Sequence, residues 1–260
     1  MAEEVAQPQL GKEGLACILM QVMCAAKKLR AQRDRLLHLR RRLQQRDGDG
    51  DAAVPEEVAS GLHKVCFEGL AACNGYITSG LLITDEHGAR DSFSISAFAV
   101  IPEDQLYGVL HSQWLPPRPA TQADAFARME SALYAVSLAQ EHHVPRCIEL
   151  LVGVRPPLVK AKPLGSVAGY ADDPVQGVNE HLAKNGFPDP EPPTAAAAAQ
   201  ANCSVDPDQA LTYLHRACSL AGLALKHIDV AVAAISGWLD PEEVAETSEW
   251  VADMSEDDSD

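Results

Sequence analysis

The sequence predicts an α/β fold: a mixed five-stranded sheet with flanking helices, preceded by an N-terminal basic amphipathic helix. Residues 91–100, DSFSISAFAV, alternate apolar and small polar side chains, which is the period-two pattern of a half-buried strand. Two almost continuous apolar runs, at 146–154 and 227–235, are typical of strands buried on both faces. A segment with helical spacing precedes each run, so we expect helix crossovers between parallel strands.

Residues 1–50 form the predicted basic helical arm. Leucines and other apolar residues recur at helical spacing over 13–46, and the turn-forming RDGDGD segment ends the pattern. Residues 27–46 carry nine Lys or Arg and a single acid, Asp34. Two roles remain open for this helix. It packs on the body or pairs with a partner helix in a coiled coil, or it binds the backbone of a nucleic acid. The candidate binding residues are Arg30, Arg33, Arg40, Arg41 and Arg42.

Three strands are expected next in the chain. Val65–Leu70 is the first and Ser79–Thr84 the second, and Asp85–Gly88 has the composition of a hairpin turn. Residues 91–100 are the third strand. These strands are expected to pair antiparallel because the turns between them are short.

A helix is expected to begin after Thr121. Thr121 is a suitable N-cap, and Asp124 lies three residues later, in the first turn where an acid is favourable. The segment 141–145, EHHVP, is expected to end this helix, and the strand at 146–154 follows.

The second half of the body is expected to contain an insertion at about 155–206, because this stretch is rich in Pro, Gly and Ala. A helix capped by Asp206 with Pro207 at its first position follows, then the strand at 227–235, then a last helix opened by Pro241. The body therefore covers residues 51–254, and residues 255–260 form an acidic tail.

The composition restricts the class of protein. The net charge is -16, which repels nucleic-acid phosphates unless a local basic patch overrides it. Seven cysteines without a CxxC spacing indicate reduced thiols in an intracellular protein, in the cytoplasm or nucleus. The first residues are polar and acidic, unlike a secretory signal, and no uninterrupted apolar run reaches membrane-spanning length, so no membrane contact is expected.

The predicted order of strands and helices resembles the ribonuclease H family. In VCFEGL, Glu68 and Gly69 take the place of the family's Asp-Gly at the end of its first strand, and SGLLITDEHG is similar to its second strand and turn. In ARMESALYAVSLA, Glu130 matches the acid of the family's first helix. The resemblance covers residues 64–154 and, more faintly, 206–253.

This resemblance implies Mg²⁺-dependent cleavage of phosphodiester bonds, with Glu68 and Glu130 as catalytic residues and metal ligands. Two metal ions held by converging carboxylates would activate the water and stabilise the leaving oxygen. The chain departs from the family where Val154-Arg155 replaces Asp-Ser, and an arginine there would repel the ions. The resemblance therefore implies a nucleic-acid-associated protein whose catalysis is weakened or lost. The alternative is a non-catalytic protein-interaction module that binds a protein partner through residues 13–46.

Overall fold

The computed structural model describes residues 10–45, 53–86, 118–154, 156 and 205–253. These residues are 90% helical and contain no strand. The predicted α/β fold with a mixed five-stranded sheet is therefore wrong, and the ribonuclease H-like order that was built on that sheet is withdrawn with it. The predicted strand at 91–100, the acidic tail at 255–260 and almost all of the insertion at about 155–206 lie outside the described residues.

Seven α-helices make up the described part of the chain. Their bounds are α1 Lys12–Gln44, α2 Ala53–Lys64, α3 Ala71–Glu86, α4 Gln122–Leu138, α5 Val144–Val152, α6 Pro207–Ser236 and α7 Pro241–Asp253. A π-helical turn at Val65–Leu70 joins α2 to α3 without a break, and a second at Ala139–His143 joins α4 to α5. The described chain thus consists of four long helical rods and the short α7.

The four rods pack in a ring around one core. α1 packs on α3 and α6, and α4 packs on the same two helices. α1 and α6 are antiparallel, because Arg30 pairs with Asp229 whereas Arg40, further along α1, contacts His215, which is earlier in α6. The apolar stripe of α1 confirms the predicted helix and faces this core. Its fully buried members include Ile18, Leu19, Val22, Leu29 and Leu36.

The two π-helical turns lie against each other. The Cys66 thiol of the first turn donates to the Gln140 carbonyl of the second over 3.1 Å. Pro145, just beyond the second turn, has no N–H and would clash with the preceding turn of a regular α-helix. A wider turn at this point lets the helix continue past the proline. The prediction that 141–145 ends the helix is therefore wrong.

The predicted helix starts are correct where the structure describes them. Thr121 accepts from the Asp124 N–H, and the Asp124 carboxylate accepts from the Thr121 N–H, which completes a capping box. Asp206 accepts from the Gln209 N–H, and Pro207 occupies the first turn of α6. Pro241 opens α7. Side chains that satisfy the first free N–H groups are a local signal, so sequence alone located these boundaries.

The predicted strands failed for a common physical reason. Val65–Leu70 is a π turn, Ser79–Thr84 lies inside α3, and the runs at 146–154 and 227–235 lie largely within α5 and α6. A short run of apolar residues suits a buried helix as well as a buried strand. Here the neighbouring helices supply the apolar surroundings, and tertiary packing overrides the local preference of Val and Ile for strands.

α7 packs along the outside of α1 and runs parallel to it. Lys12, at the start of α1, pairs with Asp240 over 2.6 Å, just before α7 begins. Fifteen residues further along α1, Lys27 donates to the Val251 and Ala252 carbonyls over 3.1 Å. A lysine at this position satisfies terminal carbonyls and complements the helix dipole.

Candidate interaction surface

The five candidate arginines lie on the solvent side of α1, and four of them contact groups of this same chain. Arg30 pairs with Asp229 of α6, and Arg40 contacts His215 over 3.2 Å. Arg42 pairs with Glu57 of α2 over 2.9 Å, and Arg33 contacts its neighbour Asp34 over 3.3 Å. Arg41 is exposed. The contacts of Arg30, Arg40 and Arg42 join α1 to the helices beside it, and their exposed setting makes each a weak contributor to stability.

Glu68 and Glu130 do not converge. Glu68 is exposed in the first π turn, whereas Glu130 is half-buried in the middle of α4. Gly80 of α3 lies beside Met129, so Glu130 sits at the level of Gly80 along the rod that carries Glu68. Twelve residues separate Gly80 from Glu68, which places the two acids on the order of 15 Å apart along the bundle axis. Two carboxylates at that spacing cannot share a metal ion.

The described helices also offer no other metal centre. Within these residues no group of three or more His, Cys, Asp or Glu side chains is arranged to hold a metal ion. Most thiols of the described part are buried, and burial raises the pKa of Cys66, Cys73 and Cys147 to about 12. A thiol with so high a pKa is a poor nucleophile at neutral pH. These cysteines therefore serve as small core residues.

A groove of about 660 Å³ lies on the outer face of α6. Its floor is apolar and made of small or branched side chains, and its edges come from α1 and from the residues just before α4. The apolar floor residues are Gly222, Leu225, Val230, Ala233 and Ala234, with Lys226 and Asp229 on the same face of α6 between them, and the edges carry Arg33, Arg118 and Pro119. The lining is mostly apolar with a few charged groups, which is the usual composition of a recognition site.

The charged side chains that line this groove are predominantly cationic. Asp229 is neutralised by Arg30, whereas Arg118 and Lys226 are exposed and form no ion pair within the described part of the chain. The Nε atom of Arg33 is buried and has no hydrogen-bond partner among the described residues. An outside acceptor cannot reach that atom, but the Arg33 side chain is 39% exposed and adds a further positive charge to the groove. The groove therefore favours a negatively charged ligand.

α6 is long and apolar enough to cross a membrane by length and composition, with a mean hydropathy of 1.6 over its best window. Half of that window is buried inside the bundle. The central helix of a water-soluble bundle has the same composition, because its apolar faces pack against other helices. Part of the remaining apolar surface of α6 forms the floor of the groove.

No family model, curated protein or solved structure matches this chain.

Sequence reasoning missed the groove, because it interpreted the second half of α6 as a strand. One signal pointed the other way. From Pro207 to Ser236 the chain contains no further proline and a single glycine, Gly222, and that composition permits one unbroken helix of 30 residues. Arg118 and Lys226 lie 108 positions apart, and only the packing of α4 on α6 brings them to one surface.

Proposed function

We propose that this protein is a non-catalytic protein-interaction module, a helical bundle that binds a protein partner through the outer surface of α1 and α6. The single observation that carries the proposal is the groove on α6, where an apolar floor remains uncovered within the described residues and cations surround it. Apolar surface that is surrounded by polar or charged groups is one of the features of protein interaction sites.

Two further observations support the proposal. The apolar stripe of α1 is buried in the bundle, so a partner meets the polar side of this helix and the neighbouring face of α6. The carboxylates considered for catalysis lie on the order of 15 Å apart along the bundle axis, too far apart to act on one bound group.

Nucleic-acid association through the basic side of α1 stays a prediction. Phosphate binding there would compete with the carboxylates that already contact Arg30 and Arg42, and the net charge of -16 opposes it. The favoured ligand class is therefore protein.

The proposal is tested by capture and reconstitution. The full chain is immobilised, retained proteins are identified, and each is purified and titrated against the full chain by calorimetry. At least one saturable complex is expected, with a dissociation constant in the micromolar range or tighter.

Two results would count against the proposal. One is the absence of any complex that can be rebuilt from purified components. The other is a salt-sensitive gel shift with an RNA/DNA hybrid that is abolished by reversing the charge of Arg30, Arg40 and Arg41. That result would indicate that the ligand is nucleic acid rather than protein.

A further inference from the structure

The groove has the dimensions of a helix-binding site. Its floor extends along α6 from Gly222 to Ala234. Twelve residues of α-helix span about 18 Å, which is a little over three turns. A second helix laid along this floor would bury apolar residues at i, i+3, i+4 and i+7 against it.

The small residues of the floor permit close approach. A Cβ atom added to Gly222 would meet nothing within 4 Å, so the space above this residue is open. Ala233 and Ala234 likewise present short side chains at the other end of the floor. Helices pack at 8–10 Å between axes, depending on the side chains at the contact, and small side chains permit the shorter distances. The floor therefore suits a helix better than an extended peptide, which binds by adding a strand to an exposed sheet edge.

The charges determine which helix fits. Arg118 at the edge and Lys226 on the α6 face form no ion pair in the described part of the chain, and the Arg33 side chain is 39% exposed. Carboxylates beside an apolar stripe on the bound helix would lie close to these three cations. A basic helix would face the same three cations without compensation, and like charges at short range are unfavourable.

We propose that the groove between Arg33, Arg118 and Lys226 binds an acidic amphipathic helix of a partner protein. The partner helix places its apolar stripe on the α6 floor and its Asp or Glu side chains against the three cations. This inference rests on the proposed function, because it names the surface and the chemistry of the partner for the same interaction.

The test is a selection from a display library of helical peptides of about 15 residues, long enough to cover the floor. The full chain is the bait, and the selected peptides are synthesised and titrated against it. The bait variants are Gly222→Trp, which fills the open space, and Arg33→Glu with Lys226→Glu, which reverses two charges. Thr212→Trp is the matched control, because Thr212 is an exposed residue of α6 outside the groove.

The selected pool is expected to be acidic with apolar residues at helical spacing. Gly222→Trp should weaken binding about tenfold or more, and Thr212→Trp should leave it unchanged. The charge-reversed bait should lose the acidic peptides and select basic ones. Circular dichroism and the midpoint of urea unfolding establish that each variant is folded, and Gly222→Ala serves as a conservative fold control.

Three outcomes would overturn the inference. If the selected peptides are basic, or if they still bind the Gly222→Trp variant, the binding site is not this groove. The proposed function would not be contradicted by that result. A dimer of the chain that Gly222→Trp dissolves makes a second copy the occupant. A rise of about tenfold in peptide affinity after neutralising Glu256, Asp257, Asp258 and Asp260 makes the chain's own acidic residues the occupant. Failure to rebuild any partner complex would remove the proposed function itself.

Discussion

The side chain of Gln32 in α1 lies against the bare backbone of Gly69 in the first π turn. A Cβ atom on Gly69 would come within 2.1 Å of the Gln32 Cδ atom, and Gln32 is only 5% exposed. The absence of a side chain at position 69 is thus what allows α1 to approach the π turn.

Gly69→Ala should destabilise the fold even though alanine is the better helix former. The buried Gln32 side chain must move, and overpacking of this kind costs about 1–3 kcal/mol. Urea unfolding of the single variant, of Gln32→Ala and of the double variant measures the coupling. The double variant should recover most of the loss, whereas simple additivity of the two changes would show that the contact does not limit packing.

Gly222→Ala is the opposite case and should stabilise the bundle. Its added Cβ meets no atom within 4 Å, and alanine is favoured over glycine in a helix interior by about 1 kcal/mol. The midpoint of urea unfolding should rise, with the slope unchanged. A fall in the midpoint would contradict the open space described above Gly222.

The buried thiols predict a loss of stability at alkaline pH. Burial holds the pKa of Cys66, Cys73 and Cys147 at about 12, whereas a thiol in the unfolded chain ionises at about pH 8.5. Between these values the unfolded state binds fewer protons than the folded state, so the free energy of unfolding falls as pH rises. Stability from this source is complete below about pH 8.5 and is lost towards pH 12.

Urea unfolding at pH 8 and pH 10 checks this dependence. Cys66→Ala should show a smaller decrease between the two pH values than the unchanged chain, because one of the responsible thiols is absent. An equal decrease would assign the alkaline sensitivity to other groups.

Removing the cap of α4 should cost about 1 kcal/mol. Thr121→Ala leaves the Asp124 N–H without its side-chain acceptor, whereas Thr121→Ser keeps the hydroxyl. The difference between these two variants in thermal unfolding isolates the hydrogen bond from the change in size. Equal midpoints for Ala and Ser would mean that water replaces the cap at no cost.

The buried contact between Arg128 and His227 should depend on an acceptor at position 227. The Nη1 atom of Arg128 lies 3.1 Å from the His227 Nδ1 atom, and burial lowers the pKa of Arg128. His227→Phe removes the acceptor beside a buried guanidinium and should cost about 1–3 kcal/mol, while His227→Gln retains an acceptor. A loss of stability in the Gln variant as large as in the Phe variant would indicate that shape, not hydrogen bonding, matters at this position.

The parts of the fold that sequence predicted correctly are those determined locally. The caps at Thr121 and Asp206 and the amphipathic helix of residues 13–46 involve groups within one or two turns of each other. The segments at 146–154 and 227–235 were misassigned as strands because a continuous apolar run shows neither the period of a helix nor that of a strand. The helices that bury these segments come from distant parts of the chain. The cations of the groove could not be grouped from sequence for the same reason, since Arg118 joins them only through tertiary packing.

Because the two π turns pack against each other, the length of one helical rod depends on the length of the other. Each turn adds one residue to a helix without rotating the rest of that helix out of phase, and the thiol of Cys66 reaches the Gln140 carbonyl where the two additions meet. Deleting the added residue from one turn alone would return that turn to a regular α-helix with the later side chains still in phase, but it would leave the other π turn without the wide turn that it packs against. Related chains should therefore keep both insertions or lose both, and a single-residue length change on one side calls for a matching change on the other.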